Sequence, residues 1–85
     1  MKLHLNSDDF IHLKEKSQYN CNYYKHKTKE NIIIEEQCHE DYDFNSYNLV
    51  DENLNETFFL GCCYCFNAEG LGKENIELDF MEFYT

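Results

Sequence analysis

The chain has 85 residues, room for one domain with a small core and not for two. Seventeen acids against seven lysines and no arginine give a net charge of −10, which disfavours nucleic acid and anionic membrane as direct ligands and favours basic surfaces. With 42% hydrophobic residues, seven Tyr and seven Phe, the chain is too apolar and too aromatic for a disordered acidic tail, so a fold is expected.

The charge is unevenly placed. Residues 1–29 carry six lysines against three acids, and residues 30–85 carry one lysine against fourteen acids. The opening Met1-Lys2-Leu3-His4-Leu5 runs at once into Asn6, Ser7, Asp8 and Asp9, so no secretory apolar segment is read there. No apolar run approaches the roughly 20 residues of a membrane helix. Five cysteines, an odd number with three crowded at Cys62, Cys63 and Cys65, fit reduced thiols better than a disulfide scaffold. A cytoplasmic protein is expected. Abundant Asn, Tyr and Glu, with no Arg, Pro or Trp, suggest an AT-rich coding sequence such as a low-GC bacterium, its phages or a mobile element would carry.

In chain order, Ser7 followed by Asp8 and Asp9 reads as a helix start, with serine as cap and acids at the positive end of the dipole. Phe10, Ile11 and Leu13 would be its buried side, and the helix would end near Ser17. Tyr19, Cys21 and Tyr23 alternate with Asn20, Asn22 and Tyr24 as a strand, and Lys25 to Lys29 leads into a turn. Asn31 to His39 is a second strand, with Ile32, Ile34 and Cys38 on one side and Ile33, Glu35, Gln37 and His39 on the other. The polar and aromatic stretch Asp41 to Asn48 reads as an extension of that strand past a bulge, and Asp51 to Asn55 has turn chemistry. Phe58 to Phe66, the most apolar segment, reads as a central strand covered on both faces. Ala68 to Asn75 is a loop. Ile76, Leu78 and Phe80 alternate with Glu77 and Asp79 as a half-buried strand. The expected fold is therefore α+β: a single domain over residues 1–85, with a short N-terminal helix packed on an antiparallel sheet of about four strands.

Candidate chemistry is sparse. Cys62-Cys63-x-Cys65 is not the usual zinc-binding pair, and Cys63 and Cys65 would share a strand face while Cys62 points away. Joining them to Cys38 and a histidine needs a fortunate register, so the thiols are read as small core groups and no metal or cofactor is expected. His4, His12, His26 and His39 are scattered and suggest no cysteine nucleophile. Carboxylate pairs at Glu35-Glu36, Asp41 with Asp43 and Glu77 with Asp79 arise readily when one residue in five is acidic. Asp41-Tyr-Asp-Phe-Asn resembles the opening of a calcium loop but has Ser46 where glycine is required. Gly70-Leu-Gly-Lys73 lacks the spacing of a phosphate loop. Lys25-His26-Lys27-Thr28-Lys29 reads as a solvated turn. No enzyme is expected.

The interleaving of aromatics and acids is more suggestive. Carboxylates along a strand face stand about 6–7 Å apart, comparable with the phosphates of one nucleic-acid strand. Asp41, Tyr42, Asp43, Tyr47, Asp51, Glu52, Glu77 and Asp79 are therefore the candidate partner-binding residues, with Tyr42 and Tyr47 as aromatic anchors. In size and charge alone the chain resembles phage-encoded inhibitors such as anti-CRISPR proteins and uracil-DNA glycosylase inhibitors. That resemblance implies a stoichiometric inhibitor that occludes the basic groove of a nucleic-acid-acting protein such as a CRISPR effector nuclease. An immunity or antitoxin protein neutralising a basic toxin is the alternative, and a small structural metal-binding module is another.

Overall fold

The computed structural model describes residues 2–39, 44–63, 70–73 and 75–79, with the backbone alone for Lys2 and Asp79. It corrects the fold class: among the described residues there is no α-helix, and the structure is almost all β. Seven strands follow in order: β1 (Lys2–Leu5), β2 (Phe10–His12), β3 (Cys21–His26), β4 (Ile33–His39), β5 (Phe44–Val50), β6 (Glu56–Cys63) and β7 (Ile76–Asp79).

The expected N-terminal helix is replaced by two three-residue 3-10 turns, Ser7–Asp9 and Lys14–Lys16, on either side of β2. Neither turn has a side-chain cap, and the Ser7 N–H donates to Asn75 Oδ1 from across the chain. The apolar positions Phe10, Ile11 and Leu13 do not repeat through a second helical turn. A short helix without that support does not repay its nucleation. Period two wins: Phe10 and His12 are half-buried, Ile11 between them is exposed, and β2 pairs with β3 through Phe10↔His26 and His12↔Tyr24.

Strands β2 to β6 form an antiparallel meander in which each strand pairs with its sequence neighbours. Strand β4 is found close to where alternation places it, whereas Phe44–Val50 is not an extension of it past a bulge but a separate strand paired antiparallel with it. The residues 51–55 form the expected turn: Asp51 Oδ1 accepts the Asn53 and Asn55 N–H groups, both at 2.9 Å. Strand β6 is not central along its length. It lies against β5 throughout, with register shifts beside Asn48 and Val50, but meets β7 through the single pair Cys62↔Asp79. The seven strands are thus one hydrogen-bonded series that behaves as two sheets, the five-stranded meander and the β1/β7 ribbon.

Chain connectivity dictates where the ribbon lies. It touches β6 at one end, yet only Asn6–Asp9 separate β1 from β2, at the opposite edge of the meander. Five Cα steps reach about 18 Å, and β2 is four strand spacings, about 19 Å, from β6. The ribbon therefore crosses the face of the meander. The core fills the space between: Leu5, Ile76 and Leu78 from the ribbon, Leu71 from the preceding loop, and Tyr24, Ile34, Tyr47, Leu60 and Cys63 from the meander.

Cys21, Cys38 and Cys62 are free thiols, but Cys63 is disulfide-bonded, which corrects the expectation that every thiol is reduced. Burial also differs from expectation, since Cys38 is exposed and, among the described cysteines, Cys63 alone belongs to the core. No helix among the described residues is long and apolar enough to cross a membrane.

Candidate functional site: two adjacent carboxylates on opposite faces

Strand alternation sends Glu35 and Glu36 to opposite faces of the meander. Both are buried, Glu36 at 2% and Glu35 at 5% exposure. Burying a carboxylate is costly unless its oxygens are well supplied with donors. Each of these two is supplied by neutral groups.

Glu36 points inward. Its row across the sheet is Asn22↔Glu36↔Tyr47↔Gly61, so two donors flank it by register, and glycine opposite Tyr47 leaves space for the ring. Oε1 accepts Tyr24 Oη and Asn22 Nδ2, each at 3.1 Å. Oε2 accepts Tyr47 Oη and the Leu71 backbone N–H, each at 2.7 Å. The last bond ties the loop before β7 to the sheet. Gly70, at φ +87°, comes so close that a Cβ there would lie 2.5 Å from Glu36 Oε1. Burial first, and then the negative Glu36, push the phenols of Tyr47 and Tyr24 well above the ordinary tyrosine value, so both stay protonated as donors.

Glu35 points outward, in the row Tyr23↔Glu35↔Asn48↔Phe59. Tyr23 Oη donates to Oε2 at 3.0 Å, while Gln37 Nε2 and Asn48 Nδ2 donate to Oε1 at 3.0 and 3.3 Å. The same two amides reach Glu56 Oε1 at 3.4 and 3.5 Å. Two carboxyl groups therefore share two amide donors. A hydrogen bond to Glu35 and the charge of Glu35, more than burial, raise the Glu56 carboxyl above 4.5. Cys21, beside this cluster, is raised by burial and further by Glu35, Glu56 and Glu36. Tyr23 is raised by its hydrogen bond with Cys21, by burial and by Glu35.

Among the described residues, every buried side-chain nitrogen and oxygen has a partner, and no three His, Cys, Asp or Glu side chains converge as metal ligands would. The outer network brings Glu35 and Glu56 together over shared amide donors, with the Cys21 thiol beside them. What it offers chemically is negative charge held in place by neutral donors.

The expected partner-binding residues fare unevenly. Asp41, Tyr42 and Asp43 lie outside the described residues. Tyr47 is not a surface residue: it is 0% exposed with its hydroxyl on Glu36, so its side chain is not presented to a partner, and the anchor role expected of it is corrected. Asp51 is engaged in forming its own turn. Glu52 is exposed at the tip of that turn. Glu77 is exposed on β7, with Oε2 3.8 Å from Nδ1 of its cross-strand partner His4. Asp79 pairs through its backbone with Lys2 and Cys62. Only Asp51 and Glu52 of the described candidates are neighbours, and Glu56 follows them in the same hairpin. Sequence reasoning noted the Glu35-Glu36 pair but set it aside as a chance pairing, and it passed over Glu56. The signal was present in β4: the parity that puts Ile34 inside puts Glu36 inside too.

Large apolar groups on the surface are Tyr19, at 82% exposure, Ile11 and Phe58. Comparison with protein-family models, with curated proteins and with solved structures finds no match for this chain.

Proposed function

We propose that this protein is a small acidic binding module that inhibits a nucleic-acid-acting protein by occupying its basic groove. One observation supports the reading above others. Glu35, Glu36, Asp51 and Glu56, on β4 and in the β5–β6 hairpin, accept hydrogen bonds from tyrosines, amides and backbone N–H groups, none of which carries a charge. Hydrogen bonds from neutral donors fix the carboxylates without cancelling their charge. The resulting field draws a basic partner and raises its encounter rate. Glu52 and Glu56 stand at the exposed end of this group, and exposed Phe58 follows on the same strand as an apolar contact.

The test is direct binding of the intact chain to a purified basic nuclease, such as a CRISPR effector, from about 50 to about 500 mM salt, with and without its nucleic acid. Affinity should fall steeply with salt, nucleic acid should compete, and Glu52→Gln with Glu56→Gln should slow association severalfold. Binding that ignores both salt and saturating nucleic acid would refute groove occupation.

A further inference from the structure

The space between the ribbon and the meander is filled unequally. On the Glu36 side it is closed by Tyr24, Tyr47 and Leu71. On the other side, where β1 passes over the sheet toward β2, a cavity of about 280 Å³ remains and opens to solvent. Its apolar walls include Leu3, Leu5, Phe10, Ile34, Leu49 and Leu60, and the polar residues that line it, taken as its mouth, are His26 and the exposed His4, Asn6, Asp9 and Lys29.

We propose that this cavity is a binding site for a medium-chain fatty acid, with the alkyl chain between the layers and the carboxylate at the mouth beside Lys29 and His26. This is independent of the acidic surface, which lies on the meander's other face and in the β5–β6 hairpin. Three features define the occupant. The walls are aliphatic and aromatic, so the body is apolar. A dry cavity of roughly 150 Å³ holds benzene, so 280 Å³ holds about eleven non-hydrogen atoms by proportion, the size of octanoate. The mouth supplies the donors. His26 Nδ1 accepts the Thr28 and Lys29 N–H groups at 3.1 and 3.0 Å, which places the neutral ring's proton on Nε2. That N–H and the Lys29 ammonium suit a carboxylate head. Asp9 has the opposite sign and directs the head to the Lys29 side of the mouth.

The experiment is titration of the full chain, with labelled methyl groups, by octanoate, octanol and octylammonium, each below its self-association limit. Octanoate should give saturable shifts confined to Leu3, Leu5, Ile34, Leu49 and Leu60, about tenfold tighter than octanol, with octylammonium weakest. Lys29→Gln should reduce octanoate to the level of octanol. Leu49→Phe should fill the cavity and abolish binding of all three, and Leu3→Phe serves the same purpose if that variant does not fold. The absence of saturable shifts, shifts scattered over the surface, or tighter binding of octylammonium than of octanoate would overturn the proposal.

Discussion

Glu36 and Glu35 are neighbours in sequence and mirror one another across the sheet, yet their surroundings set them different tasks. Around Glu36, four donors from β3, β5 and the loop before β7 converge on two oxygens, in a space that Gly70 and Leu71 of that loop help to close. Around Glu35, three donors come from the same sheet face, and a second carboxyl, Glu56, shares two of them. The first joins elements distant in sequence and holds the fold together. The second joins neighbouring strands only and holds charge at the surface. A buried carboxylate is thus structural or available according to what covers it, with the same neutral-donor chemistry beneath both.

The inner site should be by far the more sensitive. Glu36→Ala leaves two phenols, an amide and a backbone N–H without their acceptor, and should cost at least about 3 kcal/mol in denaturant unfolding. That is a large share of a small domain's stability. Gly70→Ala should follow at about 2 kcal/mol, since its Cβ would meet the Glu36 carboxylate and φ +87° strains any side chain. Tyr47→Phe keeps the ring and removes one donor, so about 1 kcal/mol is expected. A loss of partner binding from Tyr47→Phe with unchanged stability would reverse the assignment of this tyrosine to the core.

The outer pair should show a smaller effect, legible in pH. Because Glu35 raises the folded-state value of Glu56 above 4.5, the folded protein holds that proton where the unfolded chain has released it. Stability is then fullest below pH 4.5 with respect to this group, and part of it is lost as pH rises through the folded value. Glu56→Gln removes that loss. Its thermal midpoint should exceed the parent's at pH 7 and lose this advantage near pH 4. Equal differences at both pH values would mean that the two carboxyl groups are not coupled.

The thiols sharpen the same contrast at the smallest scale. Cys38 is exposed, whereas burial raises Cys21 and Cys62, and the nearby acids raise Cys21 further. Alkylation of the native protein should be fastest at Cys38. Faster alkylation of Cys21 would contradict the negative field assigned to the outer face.

Legibility in the sequence followed how local each signal was. Strands β4 and β7 and the turn at 51–55 were readable because alternation and Asp/Asn turn chemistry act within a few residues. Strand β2 was missed because Ser7-Asp8-Asp9 mimics a helix start, while its pairing partner, β3, lies beyond another 3-10 turn. The ribbon was illegible for the same reason: Leu5↔Ile76 joins the two ends of the chain, and nothing local announces it. Of the site, the excess of acid was plain. Which acids were buried was readable in part, from the parity of Ile34 and Glu36. That Tyr47 belongs to Glu36 depends on cross-strand register, which composition does not reveal.

Glu36 is thus assigned to securing the fold, and the exposed Glu52 and Glu56 of the β5–β6 hairpin to the proposed partner. The thermal midpoints of Glu36→Gln and of the double variant Glu52→Gln, Glu56→Gln, measured side by side at pH 7, test this most directly. Glutamine at 36 turns an amide donor toward donors already in place, and should lower the midpoint by about 10 °C. The double variant should stay within about 2 °C of the parent or rise above it. Comparable losses in both, or a loss confined to the hairpin variant, would contradict the division.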